Sequence, residues 1–119
     1  MNIITPLIQF QQQLRIFHWQ TQSYAQHKAF GEAYESFDDL IDTFVETFMG
    51  AFGKSKPTNT FTFALEPLDS PKTVEMVIED FEYYLRQMDG ELSDYSELLN
   101  IRDEMNGELQ KLKYLLTLK

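Results

Sequence analysis

The sequence predicts an all-α chain, a four-helix bundle with a long crossover between helices two and three. Three observations carry that prediction. Apolar residues recur at helical spacing through four separate stretches. Gly50, Gly53 and Pro57 punctuate the middle of the chain. The connection that follows them, "AFGKSKPTNTFTFALEPLDS", is too long for a tight hairpin and reads as a crossover or a functional loop.

The first helix is signalled by Thr5 as N-cap and Pro6 at the first helical position, followed by the stripe Leu7, Phe10, Leu14 and Phe17. His18 lies at the edge of that stripe. The second helix, about 27–49, carries a wide apolar face: Phe30, Ala33, Tyr34, Phe37, Leu40, Ile41, Phe44, Val45 and Phe48. Within the connection, Thr60 to Phe63 alternates polar and aromatic residues as a short extended segment does. Ser70 and Pro71 restart a helix whose inward positions are Val74, Val77, Ile78, Phe81, Tyr84, Leu85 and Met88, with Gly90 as its stop. Asp94 and Glu97 form a capping-box pattern for the fourth helix, with Leu98, Ile101, Met105, Leu109, Leu112 and Leu116 inward. Gly107 interrupts this last helix, either for close packing or neutrally.

A length of 119 residues reads as one domain, 1–119. No long uncharged apolar run and no secretory signal is present, so the cytoplasm is the expected compartment and no membrane partner is expected. The absence of cysteine excludes disulfides and thiolate chemistry, leaving His, Asp, Glu and backbone oxygens as metal ligands. A net charge of −9, without a basic stripe, argues against nucleic acid as a partner. Seventeen aromatic residues (ten Phe, six Tyr, one Trp) are many for one small core and hint at an interface between copies.

The candidate site is the stretch from Phe17 to Glu46, which holds both histidines, the tryptophan and a run of carboxylates. A Glu-x-x-His pair is missing, since Arg15 precedes His18 by three and Tyr24 precedes His27 by three. Asp38, Asp42 and Glu46 form one ridge of the second helix, and Asp42 with Glu46 can offer two oxygens to one cation. Fifteen residues separate His27 from Asp42, about 22 Å along a helix. One chain therefore cannot bring both to the same ion, and a shared site requires a two-fold-related copy. The competing reading keeps both histidines as packed or solvated side chains.

The pair His18-Trp19, the second His27, and Asp42 and Glu46 fifteen and nineteen residues later resemble, in register, the Dps branch of the ferritin-like superfamily. The closing "LLNIRDEMNGELQKLKYLL" is similar to that family's last helix. The resemblance implies a ferritin-like bundle assembled as a two-fold dimer and a hollow dodecamer. It also implies iron (Fe2+/Fe3+) as the metal, held by His18, His27, Asp42 and Glu46, and ferroxidase activity with peroxide or dioxygen as oxidant. Gly31 stands where the family places an acid, so Glu32 or Glu35 would have to supply that oxygen. Trp19 is either an electron donor or, more simply, a packing anchor. The alternative function is a catalytically inactive structural or adaptor oligomer, and the blandest is a monomeric partner-binding module.

Overall fold

The computed structural model describes residues 3–53 and 61–118. Among these, four helices and no strand are present: α1 (Ile4–Gln20), α2 (Tyr24–Phe52), α3 (Val74–Glu91) and α4 (Ser96–Leu115). At 1.5 Å per residue, the 29 residues of α2 span the 43 Å long dimension of the molecule.

Side-chain pairs fix the directions. Phe17 meets Phe30 and Phe10 meets Phe37, so α1 and α2 are antiparallel. Glu82 meets Gln110 while Asp89 meets Arg102, so α3 and α4 are antiparallel. Ala29 and Ala33 lie near Leu112 and Leu115, and Phe52 lies near Tyr95, so α2 and α4 are antiparallel too. Phe10 stacked on Phe81 joins α1 to α3, which closes the ring of four helices. The crossover must then run the length of the bundle.

It does so along α1, held by glutamines. Ala64 N–H donates to Gln9 Oε1 (3.2 Å), and Leu68 N–H donates to Gln20 Oε1 (2.7 Å). Between them the buried Gln13 amide takes both the N–H and the C=O of Glu66, at 2.7 Å each. A side-chain amide thus substitutes for a neighbouring strand and satisfies backbone that a helical bundle would otherwise bury unpaired. Alternate residues face α1, as extended chain requires. The extended pattern expected at Thr60 to Phe63 is carried by the residues just beyond it, where Ala64, Glu66 and Leu68 alternate in bonding α1; Pro57 and Thr60 lie outside the described residues.

The apolar stripes form the core as their spacing demands. Leu7, Phe30, Phe37, Phe44, Leu85, Leu98, Met105 and Leu109 have essentially no exposure. The helix starts differ from expectation. Thr5 lies inside α1, whose N-cap is Ile3; α3 is capped by Thr73, whose side chain accepts from Met76 N–H; and α4 starts from Tyr95 without a side-chain cap, so the Asp94 box is not formed. Ser70 instead stabilises the end of the crossover, donating to Glu66 Oε2 and accepting from Lys72 N–H. Gly53, at φ 87°, ends α2 as expected, but Gly90 lies within α3, which continues to Glu91.

Two buried polar groups lock α3 to α4. Arg102 donates to the Leu85 carbonyl (2.7 Å) and pairs with Asp89 and Asp103. Glu82 is paired with Lys113 and accepts from Gln110. Burial raises the Glu82 pKa, but hydrogen bonds from Lys113 and Gln110 and the charges of Lys113 and Arg86 outweigh it and hold the carboxyl below its ordinary 4.5. A depressed folded value means that this stability is present above the unfolded pKa and is lost as pH falls through the folded one. Thermal melts should therefore weaken below about pH 4.5 more steeply for the native chain than for Glu82→Gln, which should itself cost about 1–2 kcal/mol at neutral pH. Parallel acid slopes would remove Glu82 as a source of the loss.

Candidate functional site

The corner between α1 and α2 is only three residues long, and its geometry places the histidines together. Ser23 accepts from Gln26 N–H to start α2, and Thr21 Oγ1 donates to Gln26 Oε1 across the turn. His18 and His27 then stack with ring centroids 3.8 Å apart and planes 17° apart. Their bonds are reciprocal: His18 Nδ1 bonds to the His27 carbonyl (2.6 Å) and His27 Nδ1 to the His18 carbonyl (2.9 Å). Carbonyls only accept, so each Nδ1 carries a proton, and Nε2 is the ring nitrogen left outside the clasp. His18 O belongs to the last turn of α1, so His27 also caps that helix.

Gly31 explains why the clasp fits. A Cβ at position 31 would lie 2.9 Å from His18 Cε1 and 3.1 Å from His18 Nδ1. The imidazole reaches the His27 carbonyl across the bare backbone one turn further along α2. Glycine at 31 is a berth for a ring, so the position expected to lack an acidic ligand is filled by the His18 imidazole.

The carboxylates lie elsewhere. Asp38 accepts from Gln11 Nε2 (2.8 Å), tying α2 to α1. Asp42 and Glu46 are exposed further along α2, about 22 Å and about 28 Å from His27 at 1.5 Å per residue. Glu32 lines a small cleft toward α4 with Glu108 and Lys111, and Glu35 is exposed. Among the described residues, no three His, Asp or Glu side chains gather to hold a metal ion. Nor do the two imidazoles chelate one ion. Their planes, 17° apart at 3.8 Å, converge only on the order of 10 Å away, far beyond the ~2 Å of a metal–nitrogen bond. The clasp offers two adjacent single-imidazole positions.

Trp19 is 65% exposed, so it is not a packing anchor; Arg15 lies 5.3 Å from its ring and 4.5 Å from that of Tyr34. Away from this corner, a cavity of about 300 Å³ lies between α1, α3 and the crossover, lined by Gln9, Phe10, Gln13, Lys72, Asp80 and Tyr84 among others. The Tyr84 hydroxyl is buried without a hydrogen-bond partner, and burial, with the charge of Glu91, pushes its pKa up to about 12. Sequence reading missed this cavity. Its available signal was the row Gln9, Gln13 and Gln20, which falls on one face of α1.

A helical bundle with a paired-imidazole corner is the class that fold and site define. The chain belongs to a family of unknown function, DUF5856, whose model matches residues 18–116, from the first histidine into the end of α4. It is similar to an uncharacterized 14.6 kDa protein from the mobD-ri intergenic region of Enterobacteria phage T4, with 26% identity over 102 residues, covering 86% of this chain and 75% of that protein. No solved structure matches. The family found is not Dps, and the assignment made from the His-Trp register is corrected accordingly. The physical reason is that His27, Asp42 and Glu46 share one helical face, so their spacing is also what an ordinary solvated ridge produces.

Proposed function

We propose that the protein is a ferritin-like bundle that binds iron as a homo-oligomer, with His18 and His27 of one copy facing Asp42 and Glu46 of a two-fold-related copy. The observation that supports this reading is the clasp. Both imidazoles of the chain are held by backbone carbonyls through Nδ1, with Nε2 unpartnered among the described residues, as metal-bound histidines are held by their supporting hydrogen bonds. Asp42 and Glu46, exposed and without ion-pair partners among the described residues, offer the hard oxygens that the clasp lacks. The connectivity agrees, since a single long crossover after the second helix is a ferritin-like feature.

Anaerobic titration with ferrous iron tests the reading, followed by air with ferric absorbance recorded. Native protein should bind iron, His27→Ala and Asp42→Ala should each lose it, and a mixture of the two variants should regain part at interfaces that join an intact histidine half to an intact acid half. The Asp42 variant matters most, because its exposed side chain contributes little to stability. The second reading is a structural or adaptor oligomer, favoured by Gly31, which makes the clasp a closed fastening of α1 onto α2 without any metal. Iron uptake at buffer level, with His27→Ala losing only stability, would select it.

A further inference from the structure

The crossover is satisfied on one edge only. Ala64, Glu66 and Leu68 turn their amides to the glutamines of α1. Phe63 and Leu65 alternate with them, and Phe61 continues the pattern, which turns their N–H and C=O groups away from α1; none has a hydrogen-bond partner among the described residues. Their side chains share one face and are 42%, 39% and 40% exposed. Pro67, which has no N–H to offer, bounds this free edge on one side.

We propose that this edge pairs with the same edge of a second copy, antiparallel, about a two-fold axis at Phe63. The free edge of an extended segment is a template for another strand, and this one is complementary to itself. With Phe63 opposite Phe63 of the second copy, Phe61 falls opposite Leu65, so all three outward residues exchange N–H···O bonds in both directions. The same register sets aromatic against aromatic and aromatic against aliphatic, the favourable cross-strand pairs. Residues 61–65 contain no charge, so the −9 of each chain has no representative at the contact. A different partner would be expected to meet some charged or polar signature, and the row carries none. Read backwards, Phe-x-Phe-x-Leu presents the same three apolar side chains in the order its mate requires.

The lack of cysteine makes the test direct. Hydrogen-bonded antiparallel pairs hold their Cα atoms about 5.5 Å apart, within the ~4.4–6.8 Å that a disulfide spans. Phe63→Cys, oxidised at micromolar concentration with chelator present, should form a covalent dimer of twice 14.0 kDa. Leu65→Cys, equally exposed but off the axis, should do so roughly ten-fold more slowly or not at all, because docking raises the local thiol concentration only at the axis. The double variant Phe61→Cys/Leu65→Cys should cross-link again. Adding Leu65→Pro to Phe63→Cys removes an outward N–H while leaving the bonds to α1, and should abolish the effect with helicity by circular dichroism unchanged. Equal rates at 63 and 65, no dimer at 63, or indifference to Leu65→Pro would each overturn the pairing. The chelator makes the outcome independent of the iron reading.

Discussion

Phe37→Ala should lower stability by about 3–5 kcal/mol, the cost of emptying a fully buried aromatic site. At roughly 4 °C per kcal/mol for a chain of this size, the melting temperature should fall by about 12–20 °C. Phe37 has no exposure and sets its ring at 71° to Phe10 (5.4 Å) and at 70° to Phe81 (5.9 Å). Phe10 and Phe81 stack in parallel at 4.0 Å. One ring from α2 therefore seals the contact between α1 and α3, where the crossover and its cavity also lie. Each aromatic contact adds about 0.5–1.5 kcal/mol beyond burial. The loss should accordingly exceed that of Phe48→Ala, whose side chain is only partly buried. Chemical denaturation of both variants checks the order, and equal losses would mean that the three-ring cluster adds nothing to burial.

The helices were legible because burial imposes a period on the sequence, and Phe30, Phe37 and Phe44 keep it at one residue in seven. Their starts were less legible. Asp94 and Glu97 have capping-box spacing, yet the turn at Leu92 to Tyr95 puts the first helical residue at Ser96. Such a box satisfies amides only where the chain enters the helix, and tertiary packing sets that point. The crossover's length was readable, but not its attachment, since Gln13 declares itself only when Glu66 is known to lie beside it. At the site, the sequence singled out both histidines as candidate ligands, and the structure sets them side by side. What spacing could not reveal is that their rings stack and spend both Nδ1 protons on each other's carbonyls. The register that resembled an iron-storage family used positions on one helical face, which solvation alone can populate with acids. The surroundings of Gly31 were illegible for a related reason: one sequence shows a missing side chain without showing what occupies its space.

Gly31→Asp should weaken the protein and should not create a metal ligand. Supplying the oxygen that a family comparison would ask for places a Cβ 2.9 Å from His18 Cε1, closer than real side chains approach. The ring must move, and it is held by a 2.6 Å bond to the His27 carbonyl and by stacking at 3.8 Å. Displacing it gives up that bond and the stack, an expected net cost of about 1–2 kcal/mol. Propensity pulls the other way, because Gly in a helix interior is about 1 kcal/mol worse than Ala. Gly107 separates the two effects, since a Cβ there meets nothing within 4 Å. Gly107→Ala should therefore gain about 0.5–1 kcal/mol from propensity, while Gly31→Ala and Gly31→Asp should both lose stability. Nitrogen-15 spectra of the imidazoles should show the His18 Nδ1–H released in the position-31 variants alone, and iron uptake should fall with it. Equal gains at 31 and 107, with the imidazole spectrum unchanged, would mean that His18 gives way freely and that the clasp is not what holds the corner.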